Sequence, residues 1–296
     1  MTPEILLNQH QRYKEMTRLE KARGLRRLLA GGMATMTGLR VLHLYRNRRP
    51  ALPEPLPADG AYVISLTSFP PRMENLWIVV DLLMRQTVRP AAVYLCLYEG
   101  DFPGKKLPSS LDPYLERGLQ VLWAEEDMKP HLKYFYAFRK EAEGLGRPVM
   151  TADDDLFYAP DTASRLLRLH AAYPEAVCAN IVRRIEGEHY AGWPLLTEAA
   201  GPSEDLLALG FGGVLYPPAF FRFGPLYDRE KILRTSLKAD DLWLKHIERK
   251  AGIPVVSGDY FAHPAEVPSS QLISLSSQNV AGAGNDRVWE SLQGEK

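Results

Sequence analysis

Three adjacent acidic residues form the strongest chemical signal in the sequence. Asp153, Asp154 and Asp155 closely follow Pro148–Thr151, an apolar run typical of a short buried strand. Neighbouring carboxylates disfavour each other's ionisation, and a hard divalent cation offsets that repulsion. In an extended segment Asp153 and Asp155 share one side, so we predict that these two bind Mn²⁺ or Mg²⁺. An acidic helix start is the alternative, but Asp161 already fits as the cap of the next helix.

A second acidic pair, Asp240 and Asp241, opens a segment with apolar residues at helical spacing. A carboxylate at this position can act as a general base toward an alcohol. Acidic residues in a first turn also stabilise the helix dipole, and the local sequence favours that simpler interpretation.

Other polar groups and glycines are candidates for binding a nucleotide. Thr67, Ser68 and Phe69 follow the first predicted strand, where an open α/β sheet binds its ligand. Gly212 and Gly213 belong to a glycine-rich run that lets backbone approach a ligand closely. Basic residues that can clamp a phosphate or a sugar are Arg72, Lys133, Arg183 and Arg184.

One histidine, His263, lies shortly after the last predicted strand. It can complete the coordination of a metal held by Asp153 and Asp155, or it can be a structural residue. Cys96 and Cys178 lie in apolar runs, so we expect buried thiols and no disulfide framework.

Strands and helices alternate along the main part of the chain, which predicts an α/β fold with a mainly parallel sheet flanked by helices. The predicted strands are Ala61–Leu66, Val93–Tyr98, Leu119–Ala124, Pro148–Thr151, Ala176–Val182 and Ile253–Val256. The predicted helices are Glu74–Arg85, Leu132–Glu143, Thr162–Ala172 and Asp240–Lys250. Ligands of such sheets bind beyond the carboxyl ends of the strands, where the acidic triplet lies.

Composition and charge limit the classes of protein that fit. With 46% hydrophobic and 24% charged residues, the chain can form a large core, which excludes a disordered protein. No segment has the roughly 20 apolar residues of a membrane span, and a signal peptide does not fit the charged start. We therefore expect a cytoplasmic protein.

The charge is unevenly distributed, which suggests three regions. Residues 1–50 contain 11 Lys and Arg against 3 Asp and Glu, so their net charge is +8 and that of residues 51–296 is −8. We predict a basic amphipathic helical extension over 1–50, a Pro-rich linker over 51–60 and the main domain over 61–296. The extension can dock on the main domain or contact anionic lipid. The acidic remainder argues against nucleic-acid binding.

Five sequence blocks occur in a characteristic order: Val63–Arg72, Leu83–Pro90, Thr151–Asp155, Gly212–Pro217 and Ala239–Trp243. In this order they resemble bacterial GT-A-fold glycosyltransferases of the family-2 type, which build surface polysaccharides. The resemblance covers roughly residues 61–290.

The resemblance implies roles for both acidic groups. Asp153 and Asp155 correspond to the DxD motif, which holds Mn²⁺ or Mg²⁺ against the diphosphate of a nucleotide-sugar donor, and we expect a UDP-sugar. Asp241, or its neighbour Asp240, corresponds to the general base of inverting members. The triple Asp departs from the motif, so a pair that includes Asp154 remains an alternative.

The resemblance also implies a Rossmann-like GT-A domain in two halves. Residues 61–185 would bind the nucleotide-sugar and residues 186–296 the acceptor. We expect a metal-dependent, inverting enzyme of the hexosyltransferase class that acts on a glycan or a lipid-linked acceptor. The basic extension would hold it as a peripheral protein at the inner face of the plasma membrane. A retaining enzyme, a nucleotidyltransferase and a non-catalytic nucleotide- or sugar-binding protein are the alternatives.

Overall fold

The computed structural model describes residues 2–17, 23–259, 264–268 and 284–294. The strands are β1 (Val63–Thr67), β2 (Val93–Tyr98), β3 (Leu119–Ala124), β4 (Val149–Thr151), β5 (Leu156–Phe157), β6 (Val177–Ala179), β7 (Val182–Arg184), β8 (Ala200–Ser203), β9 (Leu206–Ala208), β10 (Val214–Tyr216), β11 (Val255–Ser257) and β12 (Ala265–Glu266). The helices are α1 (Thr2–Thr17), α2 (Arg23–Asn47), α3 (Met73–Met84), α4 (Asp112–Leu115), α5 (Leu132–Glu143), α6 (Thr162–Ala172), α7 (Pro218–Phe221), α8 (Arg229–Thr235), α9 (Asp240–Ala251) and α10 (Gly284–Gly294).

An eight-stranded sheet forms the centre of the molecule, in the order β3–β2–β1–β4–β10–β6–β11–β8. Strands β1 to β4 are parallel to one another, and β6 and β11 run in the same direction. Only β10 and β8 run the opposite way within this sheet. The predicted α/β class with a mainly parallel sheet is therefore confirmed.

Helices cover both faces of the sheet, which explains why its strands are almost continuously apolar. Along β2, Tyr94 and Cys96 point to the face covered by α5, α7 and α9. Val93, Leu95 and Leu97 point to the other face, which α2, α3 and α6 cover. Cys96 is buried as predicted, and so is Cys178.

Most predicted elements appear at or near their predicted bounds, but the prediction of one strand over Ala176–Val182 is wrong. The structure has two strands there, β6 and β7, in different sheets. Asn180 lies between these two strands, at the point where the chain leaves the central sheet. Its side-chain amide donates a hydrogen bond to the carbonyl of Gly212 at 3.0 Å, which ties the crossing point to the glycine-rich run.

The N-terminal helices pack against the main domain. In the region predicted as a helical extension, residues 1–50, the structure has α1 and α2, and α2 extends to Asn47. Its last turns are buried through Val41 and Tyr45, and the Tyr45 hydroxyl donates to Oδ2 of Asp81 on α3 at 2.6 Å. Within the described ranges, no helix combines the length and the apolar character that crossing a bilayer requires.

Helix α5 is fixed at its far end by a buried charge. Glu141 accepts hydrogen bonds from the Tyr94 hydroxyl at 2.6 Å and from Nη2 of Arg147 at 2.9 Å. Burial alone would raise the pKa of Glu141, but the hydrogen bonds from Arg147 and Tyr94 outweigh it, so this pKa is lowered.

We predict that Glu141→Gln lowers the free energy of unfolding by about 2 kcal/mol at neutral pH, because Arg147 loses a charged acceptor. Urea denaturation measures this, with the exposed Glu143→Gln as control. A lowered pKa in the folded state stabilises the protein above the carboxyl's unfolded-state pKa and loses that effect as the pH falls. The difference between wild type and variant should therefore shrink in acid. A difference that stays constant down to strongly acidic pH would contradict this account.

Candidate functional site

The acidic triplet forms a turn between β4 and β5 at the carboxyl end of the parallel strands. The loop after the neighbouring strand β1 meets it, as adjacent parallel strands require. Oγ of Ser68 donates to Oδ2 of Asp154 at 2.6 Å, and Nη1 of Arg72 donates to Oδ1 of Asp154 at 2.6 Å. The same Arg72 nitrogen lies 3.1 Å from Oδ2 of Asp155. Asp154 thus points toward β1, and Arg72 bridges two of the three carboxylates.

Lys133 connects the triplet to the second acidic pair. Its Nζ lies 2.7 Å from Oδ1 of Asp153 and 2.9 Å from Oδ2 of Asp240. The residue is the second of α5, and its carbonyl accepts a hydrogen bond from Oγ of Ser65 in β1 at 2.6 Å. Burial lowers the pKa of Lys133, but the charges of Asp153, Asp240 and Asp241 outweigh burial and raise it well above the ordinary value. The ammonium group therefore stays charged between the two acidic groups.

Asp241 is held by the glycine-rich run. The backbone N–H of Gly210 donates to both carboxylate oxygens, at 3.1 and 3.3 Å. A Cβ atom on Gly210 would lie only 3.0 Å from Oδ1 of Asp241 and from Nζ of Lys133. Sequence reasoning missed the role of Gly210, although it had noted the glycine-rich run that contains this residue.

The two acids of the second pair have opposite pKa shifts. Burial and then the charge of Asp240 raise the pKa of Asp241 well above the ordinary carboxyl value. Burial acts in the same direction on Asp240, but Lys133 and His131 outweigh it and lower the pKa of Asp240. Asp241 is consequently the more basic carboxylate of the pair.

The triplet has the donor chemistry of a divalent-metal site. Burial, and next the nearby charge of Asp153, raise the pKa of Asp155 to about 7 despite the guanidinium of Arg72. The charges of these two carboxylates therefore repel each other, and oxygen donors of this kind suit Mn²⁺ or Mg²⁺. In the part of the chain that the structure describes, no three His, Cys, Asp or Glu residues are grouped as a metal site. His263, the predicted third ligand, lies outside the described residues.

Several predicted donor-binding residues have contacts within the protein. The Thr67 hydroxyl donates to the carbonyl of Cys96 at 2.8 Å, which holds it in the sheet. Phe69 lies under the guanidinium of Arg72, 5.3 Å from ring centroid to Cζ. A Cβ atom on Gly212 would lie 2.7 Å from Ile181, so this glycine allows close packing at the turn into β10.

Gly213 and Arg184 also have local contacts within the chain. Gly213 adopts φ +82°, a left-handed conformation that favours glycine, and a Cβ there would lie 2.9 Å from Met150. Arg184 is exposed, with Nη1 3.9 Å from Oε1 of Glu186.

His131, close to Lys133 in the chain, is buried. Its two ring nitrogens form hydrogen bonds with the Tyr134 hydroxyl and the Ser236 carbonyl, both at 2.8 Å.

Arg183 contacts an aromatic pair, Tyr190 and Trp193, whose ring centroids lie 5.1 Å apart. Its guanidinium carbon is 5.3 Å from the ring centroid of Tyr190, and Nη1 donates to the carbonyl of Trp193 at 2.6 Å. Burial, followed by the charge of Asp241, raises the pKa of Tyr190 to about 12. Sequence reasoning also missed Tyr190, because nothing in its local pattern distinguishes it from a loop aromatic.

No protein-family model matches the sequence, and no curated protein matches it significantly. Among solved structures, S. aureus TarS 1–349 in complex with UDP is similar, with a TM-score of 0.49 and 14% identity over 69% of this chain and 59% of that one. The chain thus spans less than two thirds of the TarS fragment's length. The mannosyltransferase PcManGT from Pyrobaculum calidifontis, in complex with GDP-Man and Mn²⁺, gives a TM-score of 0.44 and 12% identity over 98% and 80% of the two chains. Both TM-scores lie below 0.5, so neither similarity assigns an activity to this chain.

Proposed function

We propose that this protein is a metal-dependent, inverting glycosyltransferase. It would move a hexosyl group from a nucleotide-sugar, a UDP-sugar, to a hydroxyl of a glycan or lipid-linked acceptor in surface polysaccharide synthesis. The observation that carries the proposal is the contact of Lys133 with both Asp153 and Asp240. It supports a single cleft in which a carboxylate pair for a diphosphate-bound cation lies beside a carboxylate pair for proton transfer.

Asp153 and Asp155 would hold Mn²⁺ or Mg²⁺, which supplies positive charge for the diphosphate of the donor and of the leaving nucleotide. Asp154 holds the turn through Ser68 and Arg72 and thereby orients the two ligands. Phe69 and Arg72, at the end of β1, would form the nucleoside side of the cleft within a donor-binding half of residues 61–185.

Asp241 would be the general base that takes the proton of the acceptor hydroxyl. Its raised pKa favours proton uptake, and the N–H of Gly210 fixes its carboxylate. Asp240 would act as a positioning residue that holds Lys133. Tyr190 would face the acceptor, within an acceptor-binding half of residues 186–296, and Arg183, in the donor-binding half, would contact the nucleotide-sugar beside it.

We predict that Asp153→Asn and Asp155→Asn each weaken the Mn²⁺-dependent binding of UDP-sugars at least tenfold, about 1.4 kcal/mol, because the cation loses a charged ligand. Isothermal titration calorimetry with and without Mn²⁺ measures this, and the exposed Asp205→Asn is the control. Unchanged nucleotide binding in both variants would favour a non-catalytic protein whose acids serve the fold. Pyrophosphate released from a nucleoside triphosphate would favour a nucleotidyltransferase.

We predict that Asp241→Asn lowers kcat by roughly 10²- to 10⁴-fold while donor binding persists, because general-base catalysis is lost. The base must be ionised, and its pKa is raised by burial and by Asp240, with opposition from Lys133. The rate should therefore increase with pH through a range above that of an ordinary carboxyl group, and the variant should lose this limb. A pH profile with the same limb in Asp241→Asn would assign the base elsewhere.

We also propose that α2 contacts an anionic membrane, at the inner face of the plasma membrane. Leu29, Met36 and Leu39 are exposed on it, and Arg40 is exposed beside them. We predict that Met36→Glu with Leu39→Glu weakens binding to phosphatidylserine vesicles in a sedimentation assay. Leu145→Glu, at an exposed position distant in sequence, is the control. Equal binding by all variants would exclude this surface.

A further inference from the structure

The short strand β12 connects the N-terminal helices to the acidic turn. It pairs with β5, which directly follows the triplet, through Ala265 opposite Phe157 and Glu266 opposite Leu156. The next residue, Val267, donates its N–H to the carbonyl of Asp155 at 2.8 Å. Because a backbone hydrogen bond reaches Asp155 itself, the position of β12 constrains the position of the acidic turn.

Helix α2 lies directly against β12. Gly38 approaches it so closely that a Cβ atom there would lie 1.9 Å from the carbonyl oxygen of Glu266, well inside any permitted contact. At its other end α2 is fixed to the main domain, where Tyr45 donates to Asp81 at 2.6 Å and Arg85 donates to the same carboxylate. The helix is therefore held at one end and in contact with β12 at Gly38.

Helix α1 lies near the same turn through a different set of residues. Leu6 and Gln9 are buried and line a cavity of about 30 Å³ together with Phe157 and Tyr158. The Tyr158 hydroxyl accepts a hydrogen bond from the N–H of Asp153 at 2.7 Å. One N-terminal helix thus contacts the strand next to Asp155, and the other lines a cavity with the tyrosine whose hydroxyl binds the N–H of Asp153.

We propose that the two N-terminal helices position the carboxylates of the acidic turn, with Gly38 and Leu6 as positioning residues. The basic extension is then a structural part of the site and not a removable anchor. Residues 1–50 would control the affinity for metal and nucleotide without touching either. The inference rests on the proposed function only for what the turn binds, because the contacts themselves do not depend on a ligand.

The decisive experiment compares Gly38→Ala with Gly31→Ala. Both replace a glycine within α2, but a Cβ at Gly31 has nothing within 4 Å. Amide hydrogen exchange is measured without metal or nucleotide over residues 153–158. We expect exchange there to be roughly tenfold faster in Gly38→Ala, because a tenfold change needs only about 1.4 kcal/mol of lost protection. Gly31→Ala should match wild type.

A second pair of variants keeps the inference testable if Gly38→Ala does not fold. Leu6→Ala shortens a buried side chain at the cavity, whereas its neighbour Leu7 is 38% exposed and serves as the control. Leu6→Ala should also speed exchange over residues 153–158, and it should raise the KM for the nucleotide-sugar more than it lowers kcat. Exchange that stays as slow as in wild type, or that rises equally across the whole chain, would overturn the inference.

The proposed function is tested by a separate measurement, the binding of a UDP-sugar to the wild-type protein. If wild-type protein binds no UDP-sugar with Mn²⁺, the proposed function fails, while the exchange data still decide whether the helices position the turn. If wild type binds the donor and both Gly38→Ala and Leu6→Ala bind it equally well, the positioning role fails and the proposed function stands.

Discussion

The site depends on one buried ammonium group. Lys133 is almost fully buried, and a buried cation is costly unless it is paired. Asp153 and Asp240 provide that pairing from two distant parts of the chain, the turn after β4 and the start of α9. The hydrogen bond from Ser65 to the carbonyl of Lys133 ties the first turn of α5, and with it the charge, to β1. Loss of either carboxylate would leave Lys133 with one ion pair instead of two. Lys133 therefore fixes the position of Asp153 relative to Asp240.

The balance of charge around Lys133 also limits what can bind there. Five carboxylates, those of residues 153–155, 240 and 241, face two cations, Lys133 and Arg72. Burial and the neighbouring carboxylates raise the pKa of Asp155 and of Asp241, which favours the protonated form of each group. A diphosphate alone would add negative charge to this cluster. A divalent cation that accompanied it would offset both, so the charge balance of this cluster favours a metal-bound diphosphate over a free one.

The sequence predicted the contacts that follow from strand order and missed those that follow from packing. Ser68 and Asp154 end adjacent parallel strands, so their meeting is a consequence of the α/β pattern. The approach of Lys133 to Asp240 was not predictable, because it depends on α5 and α9 covering the same face of the sheet. Gly210, Gly212 and Gly213 look equivalent in the sequence, and only the fold distinguishes the one that contacts Asp241. The sequence predicted an extended conformation for the triplet. In the structure the triplet forms a turn, in which Arg72 bridges Asp154 and Asp155.

The two sides of helix α2 differ in the size of their side chains. Ala34, Gly38, Val41 and Tyr45 recur at helical spacing on the buried side of α2, and small residues there allow the close approach to β12. The exposed side carries larger apolar and basic side chains, whose size does not affect the packing below. The two sides of this basic, amphipathic helix therefore have different requirements: small side chains on the buried side, and no limit on size on the exposed side. Because small size is needed only on the inner side, the outer side can change its partner without disturbing the acidic turn.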